Sequence, residues 1–338
     1  MTRTTYIPVL TVGGPPRWSR RPIFFAATLL LAILGPPVAV LAVPISPGDI
    51  LVINQHDGLV LVNPTTGAQT LISSGGFFAN PLGVALEPSG QAVIADPAVG
   101  VIRVDPNSGA QTLLSGRVDR FVLSGPRSVV VAPNGDILVV DEKGASGGGE
   151  VVRIDPLTGA QTLVSSGGNF VIAVDLVLTA GGGILVVDQN AFGGGGGIIK
   201  VDPVTGAQTP LSSGGSFIEP FSITISDTGD IFVTDPGAAA IFQIDPLTGV
   251  QTTIASVGGE LRGIGVGADG DLLVVVRPNT LLRVNPVTGA QTVLSSDGFF
   301  ADANEIAIVP VPEPSSFLLF GSVLAGAGSL AWRRRRQK

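Results

Sequence analysis

The chain of 338 residues contains no cysteine and only one histidine, one methionine and one tyrosine. Without cysteine there is no disulfide framework, no thiol nucleophile and no Cys-type zinc site. A lone histidine, His56, supplies neither a catalytic triad nor a His-type zinc site by itself. Aromatic residues make up 5% and charged residues 13%, too little of either for a charge-laced helical bundle or a disordered tail. Positive charge is scarce where it would matter. Residues 43–314 hold all 26 Asp+Glu but only 10 Lys+Arg, a net charge of −16. A body this acidic repels phosphate backbones, so no nucleic-acid partner is expected. What the chain has instead is 47 glycines, 26 prolines and 45% apolar residues. That combination predicts many short strands joined by turns.

The turns repeat. "VNPTTGAQTLISSGG" at 62–76 returns as "VDPNSGAQTLLSG", "IDPLTGAQTLVSSGG", "VDPVTGAQTPLSSGG", "IDPLTGVQTTIASVGG" and "VNPVTGAQTVLSSDG". The leading Asn63, Asp105, Asp155, Asp202, Asp245 and Asn285 are spaced 42, 50, 47, 43 and 40 residues apart. Periods of this length belong to propeller blades or helical repeats. The interior of the repeat decides between them. Residues 126–166 hold four β-rich runs, 128–131, 136–141, 150–154 and 160–165, separated by "PNG", a Gly-rich loop and "DPLTG". None carries a helical apolar period. In each Asp/Asn-Pro-x-Thr/Ser-Gly turn, proline presets the first turn position and glycine takes the left-handed one. Because Asn alternates with Asp at its head, the turn wants an acceptor oxygen rather than a charge. These residues are predicted to be architecture.

The first unit begins at a second strand, and the missing first strand is found at the other end. "FFADANEIAIVP" (299–310) matches "FFANPLGVALEP" (77–88), the opening of the next unit. The expected fold is therefore all-β: a six-bladed β-propeller over 43–311, four strands per blade, closed by the C-terminal strand joining the N-terminal blade. The phrase "GDILVVD…VVRIDPLTG" resembles NHL-repeat and gluconolactonase-like six-bladed propellers, a resemblance of strands and turns that speaks to fold.

The two ends read as sorting segments. Arg17, Arg20 and Arg21 precede the apolar run 23–34, and small residues follow to Ala42, the pattern of an export signal over 1–42. At 312–338, Pro312-Glu313-Pro314 is followed by an apolar run from Phe317 to Trp332 and then Arg333, Arg334, Arg335 and Arg336. As a helix the run is short for a bilayer span, and the arginines would stay cytoplasmic. This tail resembles the PEP-CTERM sorting signal of exosortase-bearing Gram-negative bacteria. The resemblance implies an inner-membrane intermediate, recognition by an exosortase-type protease near Pro312–Pro314, and a destination at the cell surface or in the extracellular matrix. A permanent C-terminal anchor is the alternative.

In a propeller, the loops after second and fourth strands share one face, and here that face holds everything irregular. The second strands end in Asn54, Asp96, Asp141, Asp188, Asp235 and Val276. Their carboxylates could ring a hard cation such as Ca²⁺, which takes six to eight oxygens, with His56 close by. Alternatively, each caps its own loop through backbone N–H groups. No cofactor is predicted beyond that divalent cation. Phe77, Phe78, Phe170, Phe217, Phe299 and Phe300 follow the fourth strands and could stack on a ligand or wedge between blades. Gly-rich loops at 142–150 and 189–197 lack the lysine of a phosphate loop. The expected function is a non-catalytic binding or scaffold module for exopolysaccharide or another cell-surface component. A metal-dependent lactonase- or lyase-like enzyme is the alternative.

Overall fold

The second strands are largely apolar up to their last residue, and every residue of Ile50–Asn54 and Ile137–Asp141 is buried. A β-branched strand without a polar side needs cover on both of its faces. The tight turns on either side of it supply antiparallel neighbours, and the adjoining sheets supply the cover. The computed structural model, which describes residues 44–116, 123–144 and 147–311, folds accordingly into six four-stranded sheets. In one of them, Pro126–Val131, Ile137–Asp141, Glu150–Ile154 and Gln161–Ser166 lie side by side in chain order. Helix among the described residues is confined to one turn, Ala191–Gly194, in a Gly-rich loop.

The closing strand behaves as its sequence predicts. Ala303–Ile308 pairs antiparallel with Ile50–Asn54, placing Ile50 opposite Ile308 and Ile53 opposite Glu305. The innermost strands are Gly83–Leu86, Pro126–Val131, Ala173–Leu178, Ser222–Ile225, Glu260–Val266 and Ala303–Ile308. Each packs on the innermost strands of both neighbours, so the ring is complete. The fold is a six-bladed β-propeller with four antiparallel strands per blade.

Its core lies between blades, not in the middle. The six apolar clusters each draw on two adjacent sheets. Val140 and Val151 of one blade, for example, meet Ala173 and Leu176 of the next around Phe170. Phe217 and Phe300 are wedges of the same kind, and Phe217 meets Phe242 edge-on at 5.6 Å. Phe78 packs partly buried beside its cluster, whereas Phe77 and Phe299 stay largely exposed. Truncating a side chain in these double-covered strands costs about 2–5 kcal/mol.

The repeated phrase ties each blade to the next. At its head, Asp155 Oδ1 accepts from Leu157 N (2.9 Å) and Thr158 N (2.7 Å), and Asn63 Oδ1 does the same for Thr65 and Thr66. The turn glycine is needed twice over: Gly109 sits at φ +69°, and a Cβ there would strike the Ile72 carbonyl of the preceding blade. Gln111 of "GAQT" donates 2.9 Å to Ser73 Oγ of the preceding blade and accepts from Phe77 N. On the third strands, Arg103, Arg153, Lys200 and Arg283 reach to the carbonyls of Pro156, Pro203, Pro246 and Pro64 in the next turn along. Four of the body's scarce cations are thus committed to holding the ring together.

Candidate functional site

Local strand order fixes which loops meet. The second strand of each blade ends against the loop that enters the first strand, so the side chain at that end can bridge both. Asp96 Oδ2 accepts from Ala79 N and Asn80 N, both at 2.8 Å, and its Oδ1 accepts from Ala98 N at 2.9 Å. Asp141 takes Ser124 N, Gly125 N and Lys143 N. Asp188 takes Val171 N, Ile172 N and Asn190 N, and Asp235 takes Ile218 N, Glu219 N and Ala238 N. Asn54 accepts from His56 N and Asp57 N, and its amide donates to the Phe299 carbonyl. All five side chains are fully buried. Three charge-assisted bonds per carboxylate explain how such burial is tolerated. The oxygens point into loops of their own blade, and among the described residues no group of three or more His, Cys, Asp or Glu side chains could hold a metal ion. His56 stands apart, its side chain 65% exposed and its Nδ1 3.2 Å from Asp302 Oδ2.

The clamp is absent from one blade. Its second strand, Leu272–Arg277, ends in Val276 and Arg277, and the short loop entering its first strand passes through Gly258 and Gly259 to Glu260. Here the sequence departs from its own repeat, and so do the contacts.

Register places two rings of residues around the axis. The outer ring, at the mouth of the channel on the irregular face, is Leu82, Arg127, Val174, Phe221, Arg262 and Asn304; five of these line a constriction of ≈ 20 Å³. The guanidinium carbons of Arg262 and Arg127 stand 4.4 and 5.1 Å from the centre of the Phe221 ring, cation–π distances. Arg277 joins them from the unclamped blade, donating 2.8 Å to Asn304 Oδ1 and 3.1 Å to Gln55 Oε1. Each arginine has a carboxylate at its outer side. Arg127 pairs with Glu142 at 2.5 Å, Arg262 pairs with Glu260, and Arg277 Nη1 lies 3.9 Å from the same Glu260 oxygen. Burial, then the Arg277 and Arg127 charges, push Arg262 down to about 10, with Glu219 and Asp302 opposing. Burial also lowers Arg277, against the pull of Asp302 and with the push of Arg127.

One residue deeper, the inner ring is Gly83, Ser128, Asp175, Ser222, Gly263 and Glu305. Asp175 accepts from Ser128 Oγ (2.5 Å), Leu176 N (2.8 Å), Ser222 Oγ (2.7 Å) and Ile223 N (2.8 Å). Glu305 has only Ile306 N at 3.0 Å and the same Ser222 Oγ at 3.2 Å. Burial pushes both carboxyls up, and Glu305 rises further because the Asp175 charge faces it. A hydroxyl has one proton to give. Ser222 can therefore donate to Asp175 or to Glu305 but not to both at once, and each facing carboxyl disfavours charge on the other. Gly263 has no side chain to intervene; a Cβ there would run into Glu305. Below this ring the channel widens to ≈ 240 Å³ toward the turn face.

Sequence reasoning singled out the irregular face and, on it, the residues that repeat. It passed over Arg127, Asp175, Phe221, Arg262, Arg277 and Glu305. The signal was available: six near-copies of one blade differ from one another at the two positions that open each inner strand. The larger groove of ≈ 700 Å³ on the turn face is lined by Asp202, Pro203, Val204 and Pro246, residues of the repeat itself, and so follows from blade spacing.

Comparison with known proteins agrees with this division of body and tail. Residues 310–336 match the PEP-CTERM protein-sorting motif, so the chain carries a signal for export and membrane-associated sorting. Among solved structures, the chain is similar to one from a nidogen/laminin complex, with a TM-score of 0.63, 11% identity, and coverage of 77% of this chain and 98% of that one. It is similar to a Bacteroides caccae protein of unknown function (0.58, 14%, 78% and 99%). Virginiamycin B lyase from Staphylococcus aureus also aligns (0.50, 17%, 67% and 73%). At these identities the likeness is one of fold. No curated protein matches the sequence. The export segment 1–42, Pro312–Pro314 and Arg333–Arg336 lie outside the described residues, and among those described no helix is long and apolar enough to cross a membrane.

Proposed function

We propose that this protein is an exported, surface-associated propeller that works as a non-catalytic binding or scaffold module, delivered by an exosortase-type system. The observation that carries the reading is the sorting motif at 310–336, which begins two residues after the last strand, Ala303–Ile308. A signal so close to the ring ties the propeller directly to the sorting step. Its irregular face is the working surface, because loops over a rigid scaffold are where binding residues are free to vary. The partners this reading assigns are the exosortase-type protease at the tail and exopolysaccharide or another cell-surface component at the irregular face.

The test follows the tail through export in a host that carries the sorting system. Mass spectrometry of the wild-type protein should find a C-terminus near Pro312–Pro314, and added protease should reach the propeller on intact cells. Replacing Pro312, Glu313 and Pro314 by alanine should leave a full-length form in the membrane fraction. A mature wild-type protein that keeps Arg333–Arg336, or one that never leaves the cytoplasm, contradicts the reading.

A further inference from the structure

The positive charge of the body divides in a telling way. Arg103, Arg153, Lys200 and Arg283 recur with the repeat and serve as ties between blades. Arg127 and Arg262 stand at the same register position in two blades, where the other four carry Leu82, Val174, Phe221 and Asn304, and with Arg277 they gather at the mouth of the channel on the irregular face. Arg127 and Arg262 flank the Phe221 ring and Arg277 adds its charge beside them, so like charges stand close together where nothing in blade geometry requires them. Their donor capacity is also only partly used. Arg262 Nε and Arg277 Nε are buried without a hydrogen-bond partner, as are Arg103 Nε and Arg153 Nε among the ties, so it is their grouping at one point that sets the mouth arginines apart. Guanidinium forks are shaped to take a planar carboxylate in two parallel hydrogen bonds.

We propose that Arg127, Arg262 and Arg277 form a carboxylate-binding site at this mouth, in which Glu260 is an internal occupant that a ligand's carboxylate displaces. Glu260 already bridges Arg262 and Arg277, and its side chain is 49% exposed. It therefore marks where a carboxylate sits, while being free to swing into water. Gly258 and Gly259 before it leave the space beside the site open, where other blades carry a longer entry loop. The ≈ 20 Å³ constriction beneath, which Arg127 lines, is too small for a sugar ring, so the body of the ligand lies outside on the irregular face. The acidic body does not forbid this, because charges more than about 8 Å away are largely screened at physiological salt. Within the mouth the arginines are already matched by Glu142, Glu219, Glu260 and Asp302, so a ligand's carboxylate enters by taking the place of Glu260. The inference rests on the irregular face being the binding surface and adds the chemistry that it reads.

The site is tested by calorimetry on the full-length protein with trigalacturonate, its fully methyl-esterified form, a tri-glutamate peptide and inorganic phosphate. Trigalacturonate should bind and its methyl ester should not, since the ester keeps the sugar and loses the charge. Arg277→Ala should weaken binding about tenfold or more, the usual cost of a charged hydrogen-bond pair. Glu260→Gln should tighten it about threefold or more by removing the competitor. Arg262→Lys keeps a cation against Phe221 and loses the fork, so it should weaken binding in a protein that still melts like wild type. If tri-glutamate binds as well as trigalacturonate, the site reads the carboxylate alone; if it does not, the sugar contributes as well. Either result supports the assignment. Equal binding of the methyl ester, tighter binding of phosphate, weaker binding by Glu260→Gln, or no trigalacturonate binding at millimolar concentration overturns it. Binding that survives both arginine variants overturns this site while leaving a binding face elsewhere, and the export experiment decides that broader reading independently.

Discussion

Asp141 and Glu305 are both enclosed acids on the same ring of blades, and the protein treats them in opposite ways. Asp141 receives three backbone N–H groups, from Ser124, Gly125 and Lys143, and has equivalents in Asn54, Asp96, Asp188 and Asp235. Glu305 has one backbone N–H and a shared hydroxyl, faces another carboxylate, and shares its ring position with an acid in only one other blade, Asp175. The first kind of acid is what a blade needs in order to fasten one loop to the next. The second is a burden that no blade requires. The contrast separates residues that serve the repeat from residues that the repeat merely carries, and the three mouth arginines belong with Glu305.

The largest effect should come from cutting a clamp. Asp141→Ala leaves three backbone donors without partners and should cost about 3 kcal/mol or more, read as a lower urea midpoint. Glu305→Gln should do the reverse. The folded-state pKa values of Asp175 and Glu305 lie above their ordinary 3.8 and 4.5, so the folded protein holds protons that the unfolded chain has released. Stability from this pair is present below those values and falls as pH rises past them. The Glu305→Gln protein should therefore melt about 2–4 °C higher at neutral pH, the shift that 1 kcal/mol gives in a domain of this size. Its gain on acidification should also be smaller than that of wild type. The exposed turn aspartates have the opposite sign. Hydrogen bonds from their own turns hold Asp155, Asp202 and Asp245 below 3.8, so what they contribute is lost as pH falls. Asp155→Asn should leave the urea midpoint at neutral pH essentially where it is, because Asn63 and Asn285 already fill that place. Smallest of all should be the response to Ca²⁺ or EDTA. With the clamp oxygens taken by backbone N–H groups, the thermal midpoint is expected to stay where it is.

The fold was legible because it is written six times. One blade read in isolation is ambiguous, but the returning turn with its fixed glycine, and the match of 299–310 to 77–88, determine strand number, ring size and closure. The ties between blades were less legible. Gln111 and Ser73 look like ordinary outer-strand polar residues until the next blade is set beside them. The mouth was hidden for a physical reason. Arg127 and Arg262 are separated by more than a hundred residues, and only the closed ring brings both onto Phe221. Repetition reveals scaffold, and a site that depends on breaking the repeat is invisible to a reading that looks for what recurs.

The most direct test of that distinction is thermal unfolding of Arg277→Ala beside Asp141→Ala under the same conditions. Arg277 is held against like charge, so its loss should shift the midpoint by no more than about 2–4 °C, whereas loss of Asp141 should lower it several times further. Should Arg277→Ala destabilise the propeller as much as Asp141→Ala, the mouth arginines would be part of the scaffold, and the division between repeat and site would fail.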